Sequence, residues 1–126
     1  MVTVDDIRRL ALNLPRTHEA LVRDRVKFRV GRIVYLSLAP DETSIGFAFP
    51  KDERNALIAA HPDRYHLPIA SDLRYNWVRA WLAALPAEEL PELVLEAWAM
   101  AAPKSLVATH VRGNATRPDL AVTQPP

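Results

Sequence analysis

The sequence predicts a single α+β domain built around an antiparallel β-sheet. The chain has 126 residues, 49% of them hydrophobic and 25% charged, which is the length and composition of one globular domain. Hydrophobic residues recur at helical spacing near both ends of the chain and at every second position in between. Short turns separate the alternating segments, and strands joined by short turns pair antiparallel.

The first element is a helix, predicted over residues 3–14. Thr3 serves as its N-cap, with Asp6 three residues later in an acidic form of the capping box. A hydrophobic stripe at helical spacing consists of Ile7, Leu10, Ala11 and Leu14. Pro15 ends the helix, because the residue before a proline is disfavoured in the α conformation.

Three strands follow and form an antiparallel meander. They are predicted at residues 25–30, 33–38 and 45–49. In the first, Val26, Phe28 and Val30 alternate with cationic residues, so these three side chains are expected to enter the core. Residues 31–32 make the first turn and residues 40–42 the second.

The second half of the chain combines helices with extended segments. In order, we expect a helix over residues 50–60, a loop over 63–74 with a short strand near 65–67, a strand over 77–82, a long helix over 87–102 and a short helical addition over 104–110. The core should also include Leu57, Leu93, Val94 and Trp98. The domain is therefore expected to span residues 1–110, followed by a flexible C-terminal tail over 111–126.

The composition excludes several classes of function. The absence of cysteine excludes disulfides, thiolate nucleophiles and cysteine-based metal sites. The three glycines are too few for a glycine-rich phosphate loop. No hydrophobic run approaches the roughly 20 residues of a membrane span, so we expect a cytoplasmic protein with no membrane partner.

The sequence also lacks catalytic and metal-binding patterns. Its four histidines have no metal-ligand spacing, and its serines lie outside the motifs of serine nucleophiles. The carboxylates fall at turns, at helix starts and on a glutamate-rich helix face, where solvent and the helix dipole account for them. We therefore predict no enzyme activity, no catalytic residue, no metal site and no cofactor.

A cluster of basic residues marks the first predicted strand. Between residues 16 and 32, six basic residues stand against two acidic ones, although the whole chain carries a net charge of only +1. Alternate residues of a strand share one face, so the cations of this strand project together. With residues from a later strand, the predicted basic strip consists of Arg23, Arg25, Lys27, Arg29, Arg32, Arg79 and Trp81.

The basic strip has more than one interpretation. As a nucleic-acid interface, it contacts phosphates, and Tyr75 and Trp77 extend Arg79 and Trp81 into a stacking platform for bases. The same cations suit an anionic protein or a small anionic ligand. The simplest interpretation is a solvated sheet face, whose cations deter edge pairing while Trp77 and Trp81 belong to the core.

Several strings, in their order along the chain, resemble one protein family. They are TVDDIRRLALNLP, FRVGRIVYLSLAPDE, DERNALIAAHPDRY, WVRAWL and LPELVLEAWAMAAPKSL. Together they are similar to the MmcQ/YjbR family of small bacterial proteins, over about residues 3–110. The resemblance implies an antiparallel sheet with helices packed against it, likened to the frataxin (CyaY-like) or double-wing architecture. It brings no established catalytic residue.

Members of this family are described as DNA-binding largely by fold analogy, and fold alone is weak evidence of function. The frataxin likeness raises iron binding, but two arginines of the first helix, Arg8 and Arg9, argue against an acidic iron-binding ridge. The expected function is a non-enzymatic module that binds DNA weakly and without sequence preference through the basic strip. The alternative is a protein-interaction or small-anion-binding domain with no role in nucleic-acid binding.

Overall fold

A computed structural model describes residues 2–115, which fold around a six-stranded sheet with the strand order β1-β2-β3-β4-β6-β5. The strands are β1 (Thr17–Val22), β2 (Arg25–Val30), β3 (Ile33–Leu38), β4 (Ser44–Ala48), β5 (Tyr65–His66) and β6 (Trp77–Trp81). The first four form a meander, β6 pairs with β4, and β5 lies at the far edge. All neighbouring strands are antiparallel, which confirms the predicted α+β class.

The helices are α1 (Val4–Leu12), α2 (Lys51–Ala60), α3 (Leu90–Ala101) and α4 (Lys104–Ala115). Helix α3 covers one face of this sheet together with α1, which packs against it. Helix α3 packs on β2, β3 and β4 and also contacts α1, whereas α2 lies beside β5 and β6. The indole Nε1 of Trp98 on α3 donates a hydrogen bond to the carbonyl of Pro15 at 2.9 Å, which ties α3 to the segment that follows α1.

The predicted capping of α1 is present. The Asp6 backbone N–H donates to the Thr3 hydroxyl at 3.2 Å, and the Thr3 backbone N–H donates to the Asp6 carboxylate at 2.9 Å. Hydrogen bonding from the backbone and then the side chain of Thr3 lowers the pKa of the Asp6 carboxyl, because it stabilises the charged form. Ile7 and Ala11 of the predicted stripe are fully buried.

The core lies between the sheet and α3. One cross-strand row on this face consists of Phe28, Leu36, Phe47 and Val78, which pair in succession across four strands and are all buried. Of the predicted core residues, Phe28, Val30, Val94 and Trp98 are buried, and Val26, Leu57 and Leu93 are half-buried against the core. The buried Phe28 confirms the predicted direction of the β2 side chains.

Strand β3 carries one extra residue relative to β2. Phe28 pairs with Leu36 but Arg29 pairs with Val34, so Tyr35 forms a bulge. Both Tyr35 and Leu36 are therefore buried. The Tyr35 hydroxyl lies 2.7 Å from the Thr17 hydroxyl, and burial raises the pKa of Tyr35 to about 12.

Two features differ from the sequence-based prediction, an additional strand and the C-terminal end of the last helix. Strand β1 is not predicted, and the meander has four strands rather than three. Its side chains are mostly exposed, with Leu21 72% exposed, so the strand shows no hydrophobic alternation. Helix α4 extends to Ala115, beyond the start of the predicted tail at residue 111, and the rest of that tail lies outside the described residues.

Candidate anion-binding groove

An open groove of about 680 Å³ lies on the sheet face opposite the core, and Met100 and Ala101 at the C-terminal end of α3 also line it. Its floor contains a second cross-strand row of Lys27, Ser37, Gly46 and Arg79, which lies next to the buried row and points the other way. The row crosses three strand intervals, so the backbones of Lys27 and Arg79 are about 14 Å apart. Long basic side chains on the two sides of the floor can therefore reach one ligand between them.

The groove has two walls of different origin. The β1–β2 hairpin supplies Val22, Arg23, Arg25 and Lys27. The hairpin turn places both Arg23 and Asp24 at positive φ, 52° and 65°, the backbone of a type I′ turn. The opposite wall is the segment before β6, which contributes Ile69, Asp72, Tyr75 and Asn76.

Buried Arg54 holds the second wall in place. Its guanidinium donates three hydrogen bonds to backbone carbonyls: Nη1 to Tyr75 at 3.2 Å and to Trp77 at 2.9 Å, and Nη2 to Leu73 at 2.9 Å. Arg54 belongs to α2 and is only 8% exposed. A charged donor that satisfies three carbonyls fixes the path of the chain into β6.

Asn76 provides a second attachment of this wall to α2. Its side-chain oxygen accepts a hydrogen bond from the Lys51 backbone N–H at 3.0 Å, at the first turn of the helix. Its carbonyl accepts from the Phe49 N–H at 3.1 Å. Asn76 thus anchors the wall through both its side chain and its backbone.

The groove carries more positive than negative charge. Arg23, Arg25, Lys27 and Arg79 line it, against the single carboxylate of Asp72. Burial and then the proximity of Arg25 lower the pKa of the Arg79 guanidinium, and Asp72 and Asp41 only partly offset this. The charge of an anion in the groove would oppose both lowering effects, because it favours the charged form of the guanidinium.

Three cations outside the groove, Arg8, Arg9 and Arg64, form ion pairs within the described part of the chain. Residues 2–115 contain four ion pairs, Arg8–Asp5, Arg8–Glu19, Arg9–Asp6 and Arg64–Glu89, at 2.7 to 3.0 Å. None of these pairs includes a cation of the groove. Arg79 instead donates to the Ser44 hydroxyl, a neutral acceptor.

The structure brings together part of the predicted basic strip. Arg23, Arg25, Lys27 and Arg79 line one cavity, whereas Arg29 and Arg32 are exposed outside it. Arg29 shares the face of Lys27 but lies beyond the bulge opposite Val34, and Arg32 sits in the β2–β3 turn.

Trp81 also lies outside the groove. It shares a face with Trp77 and Arg79, as predicted, but its ring stacks on His66 with the centroids 4.4 Å apart and an angle of 23°.

Trp77 occupies the groove beside Gly46. A Cβ atom built on Gly46 would lie 2.5 to 2.8 Å from Nε1, Cε2 and Cζ2 of the Trp77 indole, which is closer than atoms can pack. The glycine therefore allows the indole to lie directly against the floor. Trp77 lines the same cavity as the four cations, which places an aromatic ring next to positive charge.

Sequence reasoning missed two residues near the site. His66 pairs with Arg79 across β5 and β6, and burial and then Arg79 lower the pKa of its imidazole. Its Nδ1 is buried without a hydrogen-bond partner among the described residues. A two-residue strand has too few residues to show a periodic pattern. Arg54, by contrast, is spaced like a core residue relative to Leu57 and Ile58, and that stripe was a usable signal.

Other features of the described residues are less suited to binding. A second cavity of about 670 Å³ has Arg8 as its one cation, and Arg8 is paired with Asp5 and Glu19. Within residues 2–115 no three His, Cys, Asp or Glu side chains come together in a group that could hold a metal ion. No helix in that part of the chain is long and apolar enough to cross a membrane.

The fold and the groove define a class: a small α+β domain with helices on one face of an antiparallel sheet and a basic groove on the other. The chain belongs to the YjbR family, whose model matches residues 12–100, and this confirms the resemblance seen in the sequence. No curated protein matches the chain.

Two solved structures share the fold. The chain is similar to protein DR2400 of Deinococcus radiodurans, described with a DUF419 domain, at a TM-score of 0.72 and 24% identity, over 83% of this chain and 82% of that one. It is also similar to a protein from Pseudomonas syringae at a TM-score of 0.54 and 15% identity, over 68% of this chain and 87% of that one. At these identities the likeness concerns the fold alone.

Proposed function

We propose that this protein is a non-enzymatic module that binds DNA through the phosphates, using the basic groove. The observation that carries the proposal is the set of four cations in one groove, none of them in an ion pair with a carboxylate within residues 2–115. Unpaired cations at a concave surface favour a polyanion, because each phosphate contact releases condensed counterions. The family relationship is compatible with this function but does not test it.

The lining of the groove supports binding rather than catalysis. Its described residues include one carboxylate, Asp72, and no histidine or cysteine. General acid–base catalysis most often uses a histidine, or a pair of titratable groups in which one tunes the pKa of the other. Arginine and lysine side chains suit the recognition of phosphate instead.

We expect weak binding with a steep dependence on salt. Four phosphate contacts predict that log affinity falls with log salt at a slope of about −3 to −4. The dissociation constant should be micromolar or weaker near physiological salt, since a chain of net charge +1 has little long-range attraction for DNA. Sequence preference should be slight, because phosphate contacts position a protein without reading bases.

Two matched double variants of the β2 hairpin test the role of the groove. Arg25→Gln with Lys27→Gln removes two groove cations, and Arg29→Gln with Arg32→Gln removes the same charge from outside the groove. Titration of a labelled DNA by fluorescence anisotropy should show about 10-fold weaker binding and a slope reduced by about 2 for the first variant. The second variant should bind nearly as the unmodified protein does.

Each result bears on the proposal. Equal losses in both double variants would mean that charge in general, rather than the groove, attracts DNA. No association with single- or double-stranded DNA at low salt would refute DNA binding. Melting curves of both variants establish that they are folded, and substitutions away from the core change stability by only about 0.5 kcal/mol.

A small anionic ligand is the second candidate occupant. The volume of about 680 Å³ favours it, because cavities of roughly 300–1,000 Å³ are typical of small-molecule sites. A mononucleotide or inorganic phosphate that binds the groove more tightly than DNA, with sensitivity to Arg79→Gln, would support this candidate over the first.

A further inference from the structure

We propose that the groove prefers single-stranded over double-stranded nucleic acid and stacks an unpaired base on Trp77. This inference rests on the proposed DNA-binding function and specifies the form of its ligand. The observations behind it are the position of the Trp77 ring, the contacts that hold it, and its comparison with Trp81 on the same strand.

The ring of Trp77 is held among the groove cations. Trp77 and Arg79 are alternate residues of β6, so both side chains point into the groove, and Arg25 and Lys27 face them from the other wall. An aromatic ring beside a basic track is the arrangement that binds single strands, since bases stack on the ring while cations follow the backbone.

Two features fix this ring in the groove. Gly46 allows the indole to lie against the floor, because any side chain there would collide with it. The carbonyl of Trp77 accepts a hydrogen bond from Arg54 at 2.9 Å, which fixes the backbone from which the ring projects. A ring that is already positioned loses little entropy when a base stacks on it.

Tyr75 adds a second aromatic ring at the rim. It lines the groove, is 52% exposed and has the Arg74 guanidinium 4.8 Å from its ring centroid. Two rings and four cations in one groove provide contacts for more than one nucleotide of a flexible strand.

A duplex cannot use these rings. Its bases are paired and stacked inside the helix, so Trp77 on the groove floor reaches no base face without unpairing. The elements that enter a major groove are a helix or a β-ribbon, and the ribbon in this groove, the β1–β2 hairpin, carries cations rather than aromatic rings to the lining. The floor of the groove is a sheet face, and α3 lines the groove only with Met100 and Ala101 at its C-terminal end. Duplex binding would rest on phosphate contacts alone.

Trp81 provides a matched control for Trp77. Both tryptophans belong to β6 and share one face, but the Trp81 ring is stacked on His66 and does not line the groove. We therefore compare Trp77→Leu with Trp81→Leu, using an oligo(dT) of about 12 nucleotides, which lies in the range of single-strand site sizes.

The expected result is a large difference between the two variants. Loss of one base–aromatic stack should weaken oligo(dT) binding roughly 5- to 100-fold in Trp77→Leu, and Trp81→Leu should change it less than about twofold. Affinity for a duplex of equal length should be lower than for oligo(dT) and should be the same in the unmodified protein and both variants.

A fluorescence measurement keeps the test valid if Trp77→Leu does not fold. Trp81→Phe leaves Trp77 and the fully buried Trp98 as the remaining tryptophans. Oligo(dT) should quench the emission of this variant, because a base stacked on Trp77 shortens its excited-state lifetime. An unquenched emission at saturating oligo(dT) would overturn the inference.

The outcomes separate this inference from the proposed function. Equal affinity for duplex and single strand, or equal effects of the two tryptophan variants, would refute base stacking and leave phosphate binding intact. If neither form of DNA binds at low salt, the proposed function itself fails.

Discussion

The two faces of the sheet are made from alternate residues of the same strands and have opposite physical properties. On β2, Phe28 faces α3 and is fully buried, whereas its neighbour Lys27 faces the groove and is half-buried. The buried row continues through Leu36 and Phe47, and the groove row through Ser37 and Gly46. One strand therefore supplies both the core and the candidate site, and a shift of one residue would exchange them.

The two faces also differ in how charges are stabilised. On the helix side, Arg8 bonds Glu19 of β1 at 2.9 Å and Asp5 at 2.7 Å, which offsets its charge. In the groove, Arg79 has Arg25 as a neighbour and a hydroxyl as its hydrogen-bond acceptor. The charge of Arg79 is therefore stabilised less than that of Arg8, which has two carboxylate partners.

The largest expected effect on stability comes from a substitution on the sheet face that α3 covers. Phe28→Ala should lower the free energy of unfolding by about 3–5 kcal/mol, because it leaves a cavity against Leu36 and α3. Urea denaturation followed by circular dichroism measures this change. A loss below about 1 kcal/mol would mean that the core does not close over β2 as described.

An intermediate effect is expected from Arg54, the residue of α2 that holds the second wall of the groove. Arg54→Met should lower the free energy of unfolding by about 1–3 kcal/mol, because it leaves carbonyls at Leu73, Tyr75 and Trp77 without their donor. It should also weaken DNA binding and speed proteolysis between residues 67 and 76, since the second wall loses its anchor.

Arg64→Met is the matched control for Arg54→Met. Arg64 forms a more exposed ion pair with Glu89 at 2.9 Å, and such pairs contribute about 1 kcal/mol or less. Equal destabilisation by the two variants would show that the three carbonyl bonds of Arg54 do not hold the wall.

Much of the fold could be predicted because most elements have one buried and one exposed face. Such elements produce the period of two in β2 and the helical period in α1 and α3. Strand β1 is an edge strand with no fully buried residue, so burial imposes no pattern on it. Its turn has Arg23 and Asp24 at positive φ, where Asn-Gly is the usual signal.

Sequence patterns relate the residues of the candidate site reliably only when they lie on the same strand. Arg25 and Lys27 follow from alternation, whereas the addition of Arg79 to the predicted strip rests on the pairing of β6 with β4, which local patterns do not reveal. Arg29 shares this face with Lys27 and still lies outside the groove, because it is placed beyond the β3 bulge, opposite Val34. Arg54 acts on carbonyls 19 to 23 positions later, and backbone acceptors leave no trace in residue type.

The smallest expected effect on stability is at Lys27, which is next to Phe28 and faces the groove. Lys27→Gln should change the free energy of unfolding by no more than about 0.5 kcal/mol, since a half-exposed side chain away from the core contributes little. The sign should be stabilising at low salt, because the substitution removes repulsion among cations that share the groove with Lys27, such as Arg25 and Arg79. Salt screens this repulsion, so the advantage of the variant should shrink as ionic strength rises. Melting temperatures of both proteins at low and high salt measure the trend, and destabilisation at low salt would show that Lys27 has a stabilising partner in the folded protein.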